Sequence, residues 1–398
     1  MRWLNAIILF VLLLFPSMNA RAQTGEPLSN VFLNYEFGSS IEISAEISQP
    51  AEFSSMLLIL QPDGQSPRQT IVDPDLEGSV STSYDLVQNP IQPFARVYYW
   101  FELTRPDGTI HTTSSYWFDY LDNRFTWQTN QYDLFEVSWV DGDAAFGLKL
   151  QEIAREGLKK ATTTLPVAPD LPIRIYVYPT VAALQEALAI SDQAWTAGHA
   201  SPEIGVILVS NDNPTPELIE MERQIPHELM HILEYQVTRG QFLKIPVWLS
   251  EGLATSVELY PDPDLQRVLN EAHANNLLFP FSTLCEGFPP DANDAQLAYA
   301  QSASFVNFLY GRFGEQSFLN LLENAASGLT CENAVLTTLN SPLDQLQQEW
   351  LAQTFDESSN DLSFEEFLPF LIAGVVLMLA LLIIVLRIRR HPGTNRYD

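Results

Sequence analysis

The stretch Ile225-Pro226-His227-Glu228-Leu229-Met230-His231-Ile232-Leu233-Glu234-Tyr235 decides how this chain is read. Pro226 suits the first turn of a helix, where its missing N–H costs nothing, and Gly240 suits the position beyond the helix end. A spacing of four sets His227 and His231 on one helical face, about 40° apart at about 3.6 residues per turn. Both imidazoles can therefore reach one cation, with Glu228 projecting beside them. The pattern is H-E-x-x-H, which supplies two neutral nitrogen ligands for zinc and a carboxylate placed to take a proton from water. With only 6 His in 398 residues, chance is a poor explanation for it.

Two ligands leave a metal site incomplete. A third stands 20 residues after His231, in Ile245-Pro246-Val247-Trp248-Leu249-Ser250-Glu251-Gly252-Leu253-Ala254. A second helix is predicted from near Pro246, and Glu251 on it completes two nitrogens and one oxygen, leaving a fourth position open. Its apolar neighbours Val247, Trp248, Leu249 and Leu253 would make an unpaired carboxylate costly to bury. Glu258, seven residues further on, is a candidate acceptor for the far nitrogen of a ligand imidazole.

These segments resemble the gluzincin metallopeptidases, and more closely the peptidase MA-like group of extracytoplasmic bacterial proteins. The likeness extends through Tyr299-Ala300-Gln301-Ser302-Ala303-Ser304-Phe305, Tyr310-Gly311-Arg312-Phe313-Gly314 and Leu343 to Trp350, and covers about residues 125–355. The resemblance implies one Zn2+ per chain held by His227, His231 and Glu251, with Glu228 as general base. It implies that Tyr299 hydrogen-bonds the oxyanion. The Gly-x-Met-Glu-Asn motif with which the larger aminopeptidases capture a free amine is absent here, so an endopeptidase, or an exopeptidase of another kind, is expected rather than an aminopeptidase. An edge strand ahead of the metal helix binds substrate backbone in such enzymes, and Gly198 to Ser210 is placed for this. His199 beside it is a candidate substrate contact, though a partly exposed loop residue is the favoured reading, and His111 and His273 have no motif around them.

The ends of the chain predict where this chemistry happens. Residues 1–22 read as a signal peptide, with Arg2, an apolar run from Ala6 to Phe15 and the small-residue site Ala20-Arg21-Ala22. An uncleaved anchor is the alternative for this stretch. Residues 367–386 carry no charge for 20 positions, enough for a transmembrane helix. Glu365 and Glu366 precede that stretch, whereas Arg387, Arg389 and Arg390 open a basic tail, 387–398, which predicts a cytoplasmic C-terminus and extracytoplasmic N-terminal domains on the cell membrane. Residues 356–366 form the linker. The net charge of -29 divides unevenly. Of 20 Lys and Arg, Arg2 and Arg21 fall in the leader and Arg387, Arg389, Arg390 and Arg396 in the tail, which leaves 14; of 49 Asp and Glu only Asp398 lies outside, which leaves 48, a net of -34. Such a field repels phosphate backbones and argues against nucleic-acid binding. Cys285 and Cys331 are the two cysteines; outside the cytoplasm they can close one disulfide loop worth up to about 4 kcal/mol, or remain separate thiols.

Residues 23–122 carry short runs rich in β-branched and aromatic residues, Ile41-Glu42-Ile43-Ser44-Ala45-Glu46-Ile47 alternating with period two and Met56 to Leu60 apolar throughout, punctuated by Pro62-Asp63-Gly64 and Pro106-Asp107-Gly108. An immunoglobulin-like β-sandwich is predicted. Residues 123–355 turn to mixed α and β: a helix over 143–162, strands over 172–178 and 204–209, a helix near 181–190, then helices over 295–313, 316–326 and 342–353, the last capped by Ser341. The expected class is α+β, a sandwich followed by a peptidase-like domain of mixed sheet plus helical lobe and one membrane helix. Two other functions fit the residues less closely. One is a non-catalytic surface adhesion protein on a peptidase-like fold; the other is a zinc hydrolase of a non-peptide amide or ester.

Overall fold

Ile41, Ile43, Ala45 and Ile47 are buried while Glu42, Ser44 and Glu46 face water, the outcome period-two alternation demands of a strand with one face on a core. A computed structural model describes residues 26–189, 198–212, 218–356 and the single residue Ile372. The signal-like stretch, nearly all of the apolar 367–386 segment, the basic tail and most of the linker therefore lie outside the described residues. Among those described, no helix is long and apolar enough to cross a membrane.

The first unit ends at Arg124 and the second begins at Phe125. Among the described residues, eight strands build the first: β1 (Leu28–Glu36), β2 (Ser40–Ile47), β3 (Ser55–Pro62), β4 (Arg68–Val72), β5 (Ser79–Asp85), β6 (Arg96–Thr104), β7 (Ile110–Thr112) and β8 (Tyr116–Asp119). They form two antiparallel sheets, β1-β2-β5 and β4-β3-β6-β7, with β8 also on β6. Rings meet across the sheets, Tyr35 of β1 lying 5.3 Å from Phe118 of β8. Gly64 and Gly108, at φ +73° and +83°, turn the chain where the two Pro-Asp-Gly signals stand.

In the second unit β9 (Gln128–Tyr132) and β10 (Phe135–Trp139) make a hairpin that the sequence pattern does not announce, because Gln-Thr-Asn-Gln-Tyr offers no apolar alternation. From β10, helix α1 (Ala144–Thr164) leads to β11 (Ile173–Tyr178), followed by α2 (Val181–Ala189), β12 (Gly198–Ser201) and β13 (Val206–Ser210). The order is β12-β13-β11-β10-β9, parallel through the middle and antiparallel at both edges. The expectation of one edge strand over Gly198 to Ser210 is thereby corrected: only β12 is an edge, and β13 is interior. Gly205, at φ +63°, reverses the chain between them.

Helices complete the unit: α3 (Ile219–Val237), α4 (Val247–Ser256), α5 (Pro263–Ala274), α6 (Ala292–Phe313), α7 (Glu315–Ala326), α8 (Cys331–Leu339) and α9 (Leu343–Leu351). Helices α5 and α8 were not foreseen, although Asp262 and Thr330 cap them with side-chain oxygens. The last helix starts without Ser341: Pro342 is the N-cap residue and no side chain closes that end. One apolar core lies between the sheet and helices α1 and α3. A second fills the helical lobe around the rings of Trp248, Phe281, Phe305 and Trp350. Cys285 and Cys331 are joined in a disulfide in this lobe.

Candidate metal centre

Helix α3 begins seven residues earlier than expected, so Pro226 sits inside it rather than in its first turn. Proline there cannot donate to the carbonyl four residues back, which is that of Glu222. The structure satisfies this carbonyl from elsewhere: the Leu259 N–H, just past α4, donates to it at 2.9 Å. The ring itself lies against Gly157 of α1, where a Cβ would come within 2.8 Å of Pro226 Cγ. An interruption that would normally break a helix thus ties the metal helix to the segment following α4.

The two histidines turn one nitrogen each toward Glu251. Its Oε2 is 3.3 Å from His227 Nε2 and 4.0 Å from His231 Nε2. One donor atom from each of the three lies within 4.8 Å of the others. Tetrahedral ligands about 2.0–2.1 Å from zinc stand roughly 3.4 Å apart, so this spacing suits one ion. Glu251 Oε2 is also buried without a hydrogen-bond partner of good geometry. A carboxylate oxygen left so, between two imidazole nitrogens, has the surroundings of a metal ligand. The donor set fits zinc.

The opposite nitrogens are held as well. His227 Nδ1 is 3.4 Å from Glu258 Oε1, and His231 Nδ1 is 3.1 Å from Glu234 Oε2. Ser250 Oγ donates to the same Glu234 oxygen at 2.6 Å, linking α4 to α3 beside the ligands. A carboxylate on Nδ1 selects the tautomer that leaves Nε2 free for a cation. Glu258 thus serves one imidazole, and it lies two residues beyond the end of α4 rather than on its face. Glu234 and Ser250 were missed, though an acid three residues from His231 on one helix is a legible sign.

Electrostatics follow from this crowding. Burial alone would push both imidazoles down, yet Glu251 and Glu258 raise His227 well above the usual value, and Glu234 and Glu251 raise His231. Glu228 is raised by burial, against the pull of the two histidines. Burial would also raise Glu251, but the histidines hold it below the normal carboxylate range. Tyr299, on α6, has its ring 6.2 Å from that of His227, and burial with the nearby carboxylates, Glu251 foremost, raises the phenol far above its ordinary value. It stays an O–H donor throughout the working range.

Strand β12 forms another wall. A Cβ on Gly198 would stand 2.6 Å from Glu228 Oε1, so the missing side chain leaves room for that carboxylate against the strand. His199 is on this strand and not in a loop; burial first, then the charge of His231, pushes it down to about 4. Its Nε2 is 3.3 Å from Ser201 Oγ. Gly252, next to Glu251, meets the carbonyl oxygen of Ser302 on α6 where a Cβ would be, at 2.7 Å. Gly252→Ala is accordingly expected to lower stability by about 1–3 kcal/mol through forced displacement of backbone, seen as a lower urea midpoint.

Residues 153–356, just over half of the chain, match the sequence profile of the Peptidase MA superfamily. The chain belongs to that superfamily and is a zinc-dependent peptidase. Among solved structures it is similar to an M1 zinc metallopeptidase from Deinococcus radiodurans, at 14% identity over 81% of this chain and 92% of that one, with a TM-score of 0.36. It is also similar to a two-domain M1 zinc metallopeptidase bound to L-arginine, at 14% identity over 82% of this chain and 90% of that one, with a TM-score of 0.38. No curated protein matches the chain.

Proposed function

We propose that this chain is a membrane-anchored, extracytoplasmic endopeptidase using one zinc ion per chain, with His227, His231 and Glu251 as ligands, Glu228 as general base and Tyr299 as an oxyanion donor. The observation that carries the metal assignment is the buried Oε2 of Glu251, set between two imidazole Nε2 atoms with no hydrogen bond of good geometry to either. The signal-like residues 1–22 and the apolar stretch 367–386 support an outward-facing, anchored protein.

When bound, zinc supplies a Lewis acid that acidifies water toward pKa about 7 and polarises a carbonyl. Glu228, raised by burial, accepts the proton from the attacking water and returns it to the leaving amine. Tyr299 keeps its proton and can turn its O–H toward charge developing on the carbonyl oxygen. Substrate backbone can add to β12, which ends the sheet order and pairs outward with no strand among the described residues. Without a Gly-x-Met-Glu-Asn motif to hold a free amine, an extended chain has no reason to stop at its N-terminus.

Digestion of an unfolded protein by the full chain, with and without a chelator and with product termini mapped, tests this. Chelator-sensitive cuts inside the substrate are expected; stepwise release from one end would replace endopeptidase by exopeptidase, and no zinc-dependent cleavage would remove the assignment. Tyr299→Phe is expected to keep full zinc and to lower kcat by about 10²-fold with little change in KM. Steady-state kinetics alongside metal analysis checks it.

A further inference from the structure

Helix α4 carries Glu251 in its second turn, and its own start is poorly closed. Pro246 is the N-cap residue and no side chain accepts from the first amides. One of those orphan donors, the Val247 N–H, is taken by the carbonyl oxygen of Cys285 at 3.0 Å. Val247 precedes Glu251 by four positions and so lies one turn below it on the same helical face. The next residue, Trp248, is fully buried, packs on Phe281 at 5.6 Å and Phe305 at 5.2 Å, and points its indole Nε1 at Cys331 Sγ, 3.3 Å away. Both partners of the Cys285–Cys331 disulfide thus hold consecutive residues at the root of α4, one by backbone and one by side chain. At its other end α4 is held by the bond from Leu259 to Glu222 on the metal helix, and in its middle by Ser250 on Glu234. The two histidines need no such help, because both stand on the single helix α3.

We infer that the Cys285–Cys331 disulfide is a positioning device for the third metal ligand: it fixes the start of α4 and so sets Glu251 against His227 and His231. Metal affinity is thereby linked to the redox state of two cysteines that touch neither metal nor substrate. Both are only partly buried, which leaves the bridge open to a thiol reductant. Reduction takes two electrons from that reductant, breaks the S–S bond and leaves two thiols, while the reductant is oxidised to its own disulfide. The Cys285 carbonyl then has no covalent tie to α8, and Glu251 loses its fixed distance from the imidazoles.

The inference rests on Glu251 as a ligand, and the test separates the two. Zinc affinity of the full chain is measured by competition with a chelator of known affinity, well below the unfolding temperature, for four proteins: wild type, Cys285→Ala with Cys331→Ala, Glu251→Gln, and the combination. The cysteine pair is expected to weaken zinc by about tenfold or more, as loss of a support behind a ligand does. In the Glu251→Gln background the same pair is expected to cost little further, since the ligand it positions is already gone. A cysteine variant that loses thermal stability with unchanged zinc affinity would overturn the inference, as would a full additional loss in the Glu251→Gln background. If Glu251→Gln binds zinc like wild type, the ligand assignment fails instead and the inference falls with it. Should the cysteine variant not fold, wild-type protein reduced in the folded state and alkylated takes its place, with the same outcomes read.

Discussion

Glu228→Gln is expected to leave zinc content at one ion per chain and to lower the rate of peptide hydrolysis by about 10³-fold, within the range that general acid–base catalysis contributes. The amide keeps the volume and the buried position beside Gly198, so neither strand β12 nor helix α3 has cause to move. What is lost is a carboxylate that can accept a proton and return it. Glu228 is not among the three clustered donors, which is why the metal should stay. Metal analysis and digestion of one substrate by both proteins decide the matter: loss of zinc together with activity would make Glu228 a ligand or a structural residue instead of the base.

The second large effect is expected from Glu251→Gln. The substitution replaces an anionic oxygen by a neutral amide while keeping the packing of α4, and zinc affinity should fall by more than about 100-fold, because even a supporting outer partner is worth about 10- to 100-fold. Glu251 is one of the groups that hold His227 and His231 above their ordinary values. With it neutralised, Glu258 and Glu234 still grip the Nδ1 atoms, so the imidazoles should keep their orientation. Folding measured by circular dichroism should therefore survive where zinc binding does not. Chelator competition gives the affinity; retention of wild-type affinity would mean that the third ligand is another group.

Much of the site was legible because its chemistry is local. His227, Glu228 and His231 share one helix, and the helical period alone puts them together. Glu251 was reachable because Trp-Leu-Ser-Glu-Gly makes an unsupported carboxylate costly amid apolar neighbours. The sandwich strands were legible for the same kind of reason, since burial of one face imposes alternation. Where pairing partners supply the stability, the signal fades. Polar β9 is a strand because β10 pairs with it along its whole length. Pro226, placed by local rules at a helix start, lies in the interior because Leu259 satisfies the carbonyl that proline leaves open.

The sequence by itself picked out the candidate metal donors and the candidate general base, since residue type and helical spacing decide which atoms can share a cation. Only the tertiary structure decided what holds them. Glu234 reaches His231 along α3 itself, but Ser250 on Glu234, Glu258 on His227, the Gly198 edge against Glu228 and the disulfide beneath α4 all join residues through space rather than along one helical face. Such contacts depend on how α3, α4 and β12 pack against one another, and no local periodicity encodes that packing.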